Sequence, residues 1–133
     1  MVPIVADVRR QVFVDPWGSG LPEDYVRIVE RFGLEPFTDE LLAALPRPNK
    51  LMRRKVVFCH RDLWAIAKAI REREPFYVLT GIMPSAEKIH LGTRMVIENF
   101  RYFQEVGAEE AYLLVADVEA VATRGITLQE ARR

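Results

Sequence analysis

Two apolar runs with an amphipathic stretch between them constrain the fold of this chain more than any other feature. Residues 76–80 are aromatic and β-branched, and residues 111–116 form a continuous apolar run instead of an alternating one. A continuous run is typical of a parallel strand that is buried on both faces. Between the two runs, apolar residues recur at helical spacing from Met95 to Val106 and end before Gly107. The pattern predicts a strand, a helix and a second strand that form a right-handed βαβ unit.

The residues that follow the two predicted strands carry the first indication of function. In a parallel sheet, ligands bind beyond the carboxyl ends of the strands. Residues 81–90 form the loop after the first strand, and Asp117 and Glu119 follow the second strand. A helix that begins near Leu91 directs its free N–H groups and positive dipole end at this loop, so we expect an anion there. The two acids suit a ligand ammonium group, although ordinary helix-entry or loop acids show the same pattern.

An N-terminal segment precedes this unit. Residues 8–14 combine β-branched and aromatic side chains with polar ones and are followed by turn residues, which predicts a strand or hairpin. A helix ends at Gly33, and Thr38 caps a second short helix. We therefore divide the chain into residues 1–50, an appended hairpin with short helices, and residues 51–133, the first part of an α/β domain.

Three further elements complete the sequence-based prediction. Residues 55–59 predict a short strand, and Asp62 is placed to cap a helix that runs through Ile70. Thr127 and Glu130 have the spacing of a capping box, so a last helix begins at Thr127. Such a short helix is marginal alone, and the three predicted strands need cover on both faces. We expect the front part of a larger domain, with a complete protein and a frayed tail as the alternative.

Charge and cysteine content exclude several classes of protein. The 133 residues contain 19 Lys and Arg against 19 Asp and Glu, which argues against a wholesale electrostatic grip on nucleic acid or membrane. A local basic stripe at residues 50–55 is interpreted as a solvated face. Cys59 is the only cysteine, so no intrachain disulfide forms and a reducing compartment is expected. No apolar run approaches the about 20 residues that span a bilayer, so we expect a cytoplasmic protein.

The loop and helix start after the first strand resemble a known signature. His90-Leu-Gly92-Thr93, preceded by Thr80-Gly-Ile-Met-Pro-Ser85, resembles the His-Ile-Gly-His element of class I aminoacyl-tRNA synthetases in their tryptophan and tyrosine subgroup. Five further stretches are similar in sequence, order and spacing to tryptophanyl-tRNA synthetases of the archaeal and eukaryotic type. These stretches are Val14-Asp-Pro-Trp17, Tyr25-x-x-Ile28-Val-x-Arg31-Phe-Gly33, Met52-Arg-Arg54, Phe58-Cys-His60-Arg-Asp62 and Pro75-Phe-Tyr77. Tyrosine enzymes lack two of them, Val14-Asp-Pro-Trp17 and Phe58-Cys-His60-Arg-Asp62.

The resemblance implies a fold and an activity. The fold is α/β of Rossmann type, and residues 51–133 would form the first part of the catalytic domain. The activity is the conversion of tryptophan and ATP, bound with Mg²⁺ as the substrate complex, to tryptophanyl-adenylate, followed by transfer to tRNA(Trp). The family further implies a cytoplasmic homodimer without a prosthetic group or membrane association. A tyrosine-specific synthetase and a synthetase-like nucleotide-binding or interaction protein are the alternatives.

The resemblance also assigns candidate site residues. His90 and Thr93 are the candidate catalytic residues: the imidazole would donate to phosphate, and Thr93 stands in the place of the second histidine as a neutral donor. The candidate tryptophan-binding residues are Leu79, Leu114 and Glu119, and Glu119 would hold the α-amino group. The candidate ATP-binding residues are Val14, Trp17, Gly81, Ile82, Met83, Pro84, His90 and Gly92.

Two departures from the family pattern affect these assignments. Leu79 and Leu114 stand where eukaryotic relatives have a tyrosine and a glutamine, so the indole N–H lacks these partners. The Lys-Met-Ser-Lys-Ser loop, which supplies positive charge to the pyrophosphate, does not occur in the 133 residues, nor does the helical anticodon-reading domain. We therefore expect no adenylate formation from these residues alone.

Overall fold

The computed structural model describes residues 29–30, 32–84 and 88–132. The predicted N-terminal hairpin lies outside the described residues. Val29 and Glu30 are helical, and Gly33 follows with a φ of 59° in the left-handed region. Gly33 therefore ends this helix as its sequence position predicted.

The secondary structure confirms the βαβ unit. Strands β3 (Tyr77–Ile82) and β4 (Glu110–Val115) are parallel, and their register runs from Tyr77 opposite Glu110 to Ile82 opposite Val115, with one helix between them. Strands β1 (Glu35–Pro36) and β2 (Cys59–His60) form a separate antiparallel pair. In chain order the elements are β1 (Glu35–Pro36), α1 (Asp39–Ala44), α2 (Lys50–Arg53), β2 (Cys59–His60), α3 (Leu63–Glu72), β3 (Tyr77–Ile82), α4 (Leu91–Glu105), β4 (Glu110–Val115), α5 (Asp117–Arg124) and α6 (Leu128–Ala131).

Side chains from both sides of residue 50 meet in one hydrophobic core. Its buried members are Phe37, Leu41, Leu45, Met52, Ala67 and Tyr102. The Tyr102 hydroxyl donates to the Pro46 carbonyl at 2.9 Å, and burial raises the pKa of Tyr102 to about 12. The Asn49 amide donates to Asn99 Oδ1 at 2.8 Å. These contacts fix α2 against α4; the division of the chain at residue 50 stays a prediction.

The strand predicted at residues 55–59 is wrong over most of its length. Only Cys59 belongs to a strand, which continues to His60. Lys55 has a φ of 54°, and the Val56 amide donates back to the Leu51 carbonyl at 2.9 Å. This is the hydrogen bond of a left-handed helix end, so the residues after α2 complete its C-terminus instead of entering a sheet.

The capping role predicted for Asp62 is also wrong. Asp62 precedes α3, but its backbone is left-handed, with a φ of 54°, and its side chain makes no cap bond. An N-cap side chain reaches the helix amides from an extended backbone, which Asp62 does not have. His60 replaces it, because its Nδ1 accepts from the Leu63 amide at 3.3 Å.

The caps predicted at Thr38 and Thr127 are confirmed. Thr38 Oγ1 accepts from the Leu41 amide at 3.3 Å. Thr127 and Glu130 form the reciprocal capping box, and the bonds from Thr127 lower the pKa of Glu130. Each cap depends only on residues three positions apart, so the sequence pattern suffices to predict it.

One face of the β3–β4 sheet is open among the described residues, so the burial of β4 on both faces stays a prediction. Tyr77, Leu79 and Leu114 are 68%, 54% and 55% exposed. The alternate residues Val78 and Ile82 are half-buried on the other face, where α4 contacts β3. Leu113 and Val115 of β4 lie on that same face and are 43% and 56% exposed, so the described residues cover only the β3 part of one face. No helix among them is long and apolar enough to cross a membrane.

Candidate functional site

The candidate site lies at the carboxyl edge of the β3–β4 sheet. The Ala116 amide donates to the Ile82 carbonyl at 2.9 Å, so the two strands stay paired to their ends. Helix α5 begins immediately after β4, and the Thr123 hydroxyl lies 3.7 Å from Met83 Sδ. The structure thus brings α5 against the loop that was predicted to lie along the nucleotide.

The start of α4 is built from His90, Gly92 and Thr93. His90 is the N-cap residue, and its Nδ1 accepts from the Thr93 amide at 3.3 Å. Nε2 lies 3.2 Å from Thr93 Oγ1. A Cβ on residue 92 would lie 3.2 Å from both Cε1 and Nδ1 of His90. A side chain at position 92 would therefore push the exposed His90 ring aside by a few tenths of an ångström, a consequence that sequence reasoning did not supply.

The electrostatics of this helix start favour an anion. Helix α4 has 15 residues and no acidic side chain in its first turn. His90, Leu91 and Gly92 are exposed, so the positive end of the helix dipole is open to solvent. The prediction that a phosphate group binds here stays a prediction.

The two acids predicted at the site have different environments. Asp117 Oδ2 accepts from Arg132 Nε at 2.7 Å, and Oδ1 accepts from the Val118 amide at 2.8 Å. The bond from Arg132 is the main cause that lowers the pKa of Asp117. The Glu119 side chain is exposed and has no hydrogen bond or ion pair within the described part of the chain. Of the two, Glu119 has no side-chain partner among the described residues, whereas Asp117 already accepts two hydrogen bonds.

The apolar candidates share the open face of the sheet. Register pairs in a parallel sheet point to the same face, and Gly81 pairs with Leu114 while Leu79 pairs with Tyr112. Leu79 and Leu114 therefore belong to one apolar patch. Tyr112, which sequence reasoning missed, belongs to it as well, and its hydroxyl donates to Glu110. Its position two residues before Leu114 in the second strand is the signal that would have found it.

The remaining ATP-binding candidates are only partly described. Gly81 and Ile82 form the end of β3, and the strand extends two residues further than predicted. A Cβ on Gly81 would meet its nearest atom, the Leu114 carbonyl oxygen, at 3.9 Å, which is an ordinary contact. Pro84 ends the described part of the loop. Val14 and Trp17 lie outside the described residues.

Comparison with known proteins gives a consistent result. Residues 71–132 match the sequence profile of the tRNA synthetases class I (W and Y). The tryptophan–tRNA ligase of Methanosarcina acetivorans is 44% identical over 119 residues, which cover 90% of this chain and 26% of the relative. Tryptophan–tRNA ligase 1 of Halobacterium salinarum is 42% identical over 119 residues, which cover 90% of this chain and 23% of the relative. The chain thus spans about a quarter of the length of these relatives.

Solved structures show the same relationship. A tryptophanyl-tRNA synthetase from Encephalitozoon cuniculi bound to tryptophan superposes with a TM-score of 0.71 at 28% identity, over 82% of this chain and 34% of that chain. The Plasmodium falciparum tryptophanyl-tRNA synthetase gives a TM-score of 0.72 at 22% identity, over 82% of this chain and 32% of that chain, which shows a likeness in fold. The described residues therefore form part of a Rossmann-type fold, and the chain belongs to the class I aminoacyl-tRNA synthetases of the tryptophan and tyrosine group.

Proposed function

We propose that this chain forms part of the catalytic domain of a tryptophan–tRNA ligase and contributes to its ATP and tryptophan sites. The observation that carries the proposal is the match of 90% of the chain to tryptophan–tRNA ligases at up to 44% identity. The position of His90, Gly92 and Thr93 at the start of α4, beside the carboxyl edge of β3, supports it. Ligands of open parallel sheets bind at that edge.

The chemistry needs positioning and charge stabilisation more than covalent catalysis. A carboxylate oxygen of tryptophan attacks the α-phosphorus of ATP, which is bound with Mg²⁺ as the substrate complex, and pyrophosphate leaves. Charge develops on phosphate oxygens, where preorganised donors are most effective. The free amides of α4 and the side chains at its start are such donors. Glu119 would hold the tryptophan ammonium group and fix the attacking carboxylate.

Leu79 and Leu114 form the proposed wall of the amino-acid pocket. An apolar wall suits the indole ring, and the two leucines offer no partner for a phenol hydroxyl. A buried phenol without a partner costs about 1–3 kcal/mol, so tyrosine is the second candidate substrate. Tyr112 lies beside Leu79 on the same face, and its hydroxyl, which donates to Glu110, is the candidate acceptor for the indole N–H.

The proposed contact with tRNA is a basic surface at α2, formed by Arg47, Lys50, Arg53 and Arg54. Residues 41–61 contain no acidic side chain, although the whole chain has no net charge. Lys50 and Arg54 are exposed and have no ion pair within the described residues, whereas Lys55 pairs with Asp39 at 2.8 Å. Unpaired cations on a fixed helix attract a phosphate backbone, and the affinity then depends on salt.

A hybrid enzyme tests the proposed function. In the Methanosarcina acetivorans relative, the 119 matched residues are replaced by the corresponding residues of this chain. The assay is amino-acid-dependent exchange of pyrophosphate into ATP, with the parent enzyme as the positive control. We expect exchange with tryptophan and little with tyrosine. Faster exchange with tyrosine would establish the second candidate, and a folded hybrid without exchange would favour a nucleotide-binding or interaction protein.

Dimerisation and cellular location follow from the family alone. We propose a homodimer in the cytoplasm, as the resemblance implies. Sedimentation of the hybrid enzyme measures its oligomeric state. A monomer that is active at all concentrations would contradict the proposed homodimer.

A further inference from the structure

Helices α5 and α6 form a hairpin that is closed by an ion pair. Helix α5 begins at Asp117, α6 ends at Ala131, and the two helices pack against each other. One residue beyond α6, Arg132 Nε lies 2.7 Å from Asp117 Oδ2. Ala120 of α5 and Ala131 of α6 are the buried residues of the two helices. The end of α6 therefore holds the first turn of α5.

The two sides of α5 have different neighbours. Residues three or four apart lie on the same side of a helix, and residues two apart do not. Asp117 and Ala120 therefore share the side that faces α6. Glu119 shares the other side with Thr123, whose hydroxyl donates to the Glu119 carbonyl at 2.7 Å and lies 3.7 Å from Met83 Sδ. Glu119 thus belongs to the side of α5 that faces the loop after β3.

The start of α5 is held by few other contacts within the described part of the chain. Ala116 is the N-cap residue and has no side-chain cap bond. Its backbone amide donates to the Ile82 carbonyl at 2.9 Å, which ties the end of β4 to β3. A single backbone bond does not fix the rotation of a helix about its own axis. That rotation therefore depends on the contacts with α6.

We propose that Arg132 is a positioning residue for tryptophan: through Asp117 it sets the rotation of α5 that directs Glu119 toward the loop after β3. The role of Glu119 as partner of the tryptophan ammonium group rests on the proposed function. The two acids at the start of α5 then have different tasks, because Asp117 holds the helix and Glu119 holds the ligand. Arg132 itself lies outside the motifs from which the site was predicted.

The size of the effect follows from the exposure of the ion pair. The Arg132 and Asp117 side chains are 64% and 20% exposed. Exposed ion pairs shift an equilibrium between two conformations by about two- to fivefold. The apparent affinity for a ligand falls with the population of the competent conformation. Loss of Arg132 should therefore raise KM for tryptophan about two- to fivefold, while saturating tryptophan restores that conformation and leaves kcat nearly unchanged.

Carbon-13 methyl NMR of the 133-residue chain tests the orientation of α5 without any ligand. Arg132→Gln should move the methyl signal of Met83 and leave that of Met52, which is 2% exposed in the core, unchanged. Arg101→Gln is the matched control, because Arg101 Nε lies 2.7 Å from Glu105 Oε1 in an exposed ion pair on α4. The control should leave the Met83 signal unchanged.

A Met83 signal that does not move in Arg132→Gln, or that moves equally in the control variant, would overturn the proposal. An unchanged Met52 signal shows that the core of the variant is folded. None of these outcomes depends on the binding of tryptophan or ATP, so the proposal fails or stands separately from the proposed function.

A double-mutant cycle tests the consequence for tryptophan, in a hybrid enzyme that carries this chain through Arg132. Arg132→Gln should raise KM for tryptophan about two- to fivefold and leave KM for ATP unchanged, and Arg132→Lys should restore most of the affinity because it keeps the cation. In a Glu119→Gln enzyme, Arg132→Gln should raise KM no further, since Arg132 acts through Glu119. Effects that multiply would show that Arg132 acts independently of Glu119. A lower KM in Arg132→Gln would show direct repulsion of the ammonium group, and either result would refute the proposal.

Discussion

Replacing Gly92 by alanine perturbs the start of α4 at its tightest point. The new Cβ would lie 3.2 Å from Cε1 and Nδ1 of His90. Carbon atoms in favourable contact are about 3.5–4.0 Å apart, so the ring must move away. Because the ring accepts from the Thr93 amide at 3.3 Å, its movement weakens the helix cap.

Two opposing terms set the stability of this variant. Loss of an N-cap costs about 1 kcal/mol, while alanine in place of glycine within a helix stabilises by about 0.8–1 kcal/mol. The terms nearly cancel, so we expect the free energy of unfolding to change by less than about 1 kcal/mol. The His90 ring nevertheless moves relative to the Thr93 amide and hydroxyl.

Urea unfolding and the nitrogen-15 spectrum of His90 measure the two effects separately. Gly81→Ala is the matched control, because its Cβ would lie 3.9 Å from the Leu114 carbonyl oxygen. This control should leave the His90 signals unchanged. A Gly92→Ala chain that gains the full stability of the glycine-to-alanine change, with unchanged His90 signals, would refute the described packing of the ring.

Three further outcomes are expected. In the hybrid enzyme, Glu119→Gln should raise KM for tryptophan about ten- to a hundredfold and change KM for ATP far less; an unchanged KM for tryptophan would remove Glu119 from the pocket. Lys50→Glu should weaken tRNA binding and reduce its salt dependence more than Lys68→Glu, which makes the same charge change on α3, and equal effects would contradict a basic surface on α2. The bond from Arg132 lowers the pKa of Asp117, so this contact stabilises the folded chain above pH about 3.8, and the stabilisation is lost as the pH falls through the lowered pKa. Arg132→Gln should raise the pKa of Asp117 in an NMR titration. An unchanged pKa would exclude the contact.

Features that depend on short-range pattern were predicted correctly from the sequence. The apolar run at residues 111–116 gave a strand that is parallel to β3, and helical spacing gave α4 from Leu91. The caps at Thr38 and Thr127 were predicted because each needs only a side chain and an amide three residues apart. The fold class follows from these elements, and the comparisons confirm it.

Features that depend on backbone detail or on distant neighbours were not predictable in this way. Asp62 has a residue type suited to capping, but its left-handed backbone prevents the bond, and His60 takes the role. Lys55 adopts the left-handed conformation that glycine usually supplies, so the helix end after α2 was interpreted as a strand. The burial of β4 depends on what covers the open face, which the pattern of β4 itself does not specify.

Within the candidate site, the residue types could be predicted from the sequence, but their contacts could not. The sequence placed His90 and Thr93 at the helix start, yet it could not show that the two side chains bond to each other. Both Asp117 and Glu119 were predicted as partners of a ligand ammonium group. The structure distinguishes them, because Asp117 is bonded to Arg132. Hydrogen-bond partners decide such cases, because they determine which groups remain available to a ligand.

The amino-acid dependence of pyrophosphate exchange by the hybrid enzyme distinguishes a tryptophan–tRNA ligase from its alternatives. We predict that the hybrid, which carries this chain in place of the 119 matched residues, exchanges pyrophosphate in the presence of tryptophan and far less with tyrosine. A folded hybrid that binds ATP but shows no exchange with tryptophan, or that prefers tyrosine, would contradict this prediction.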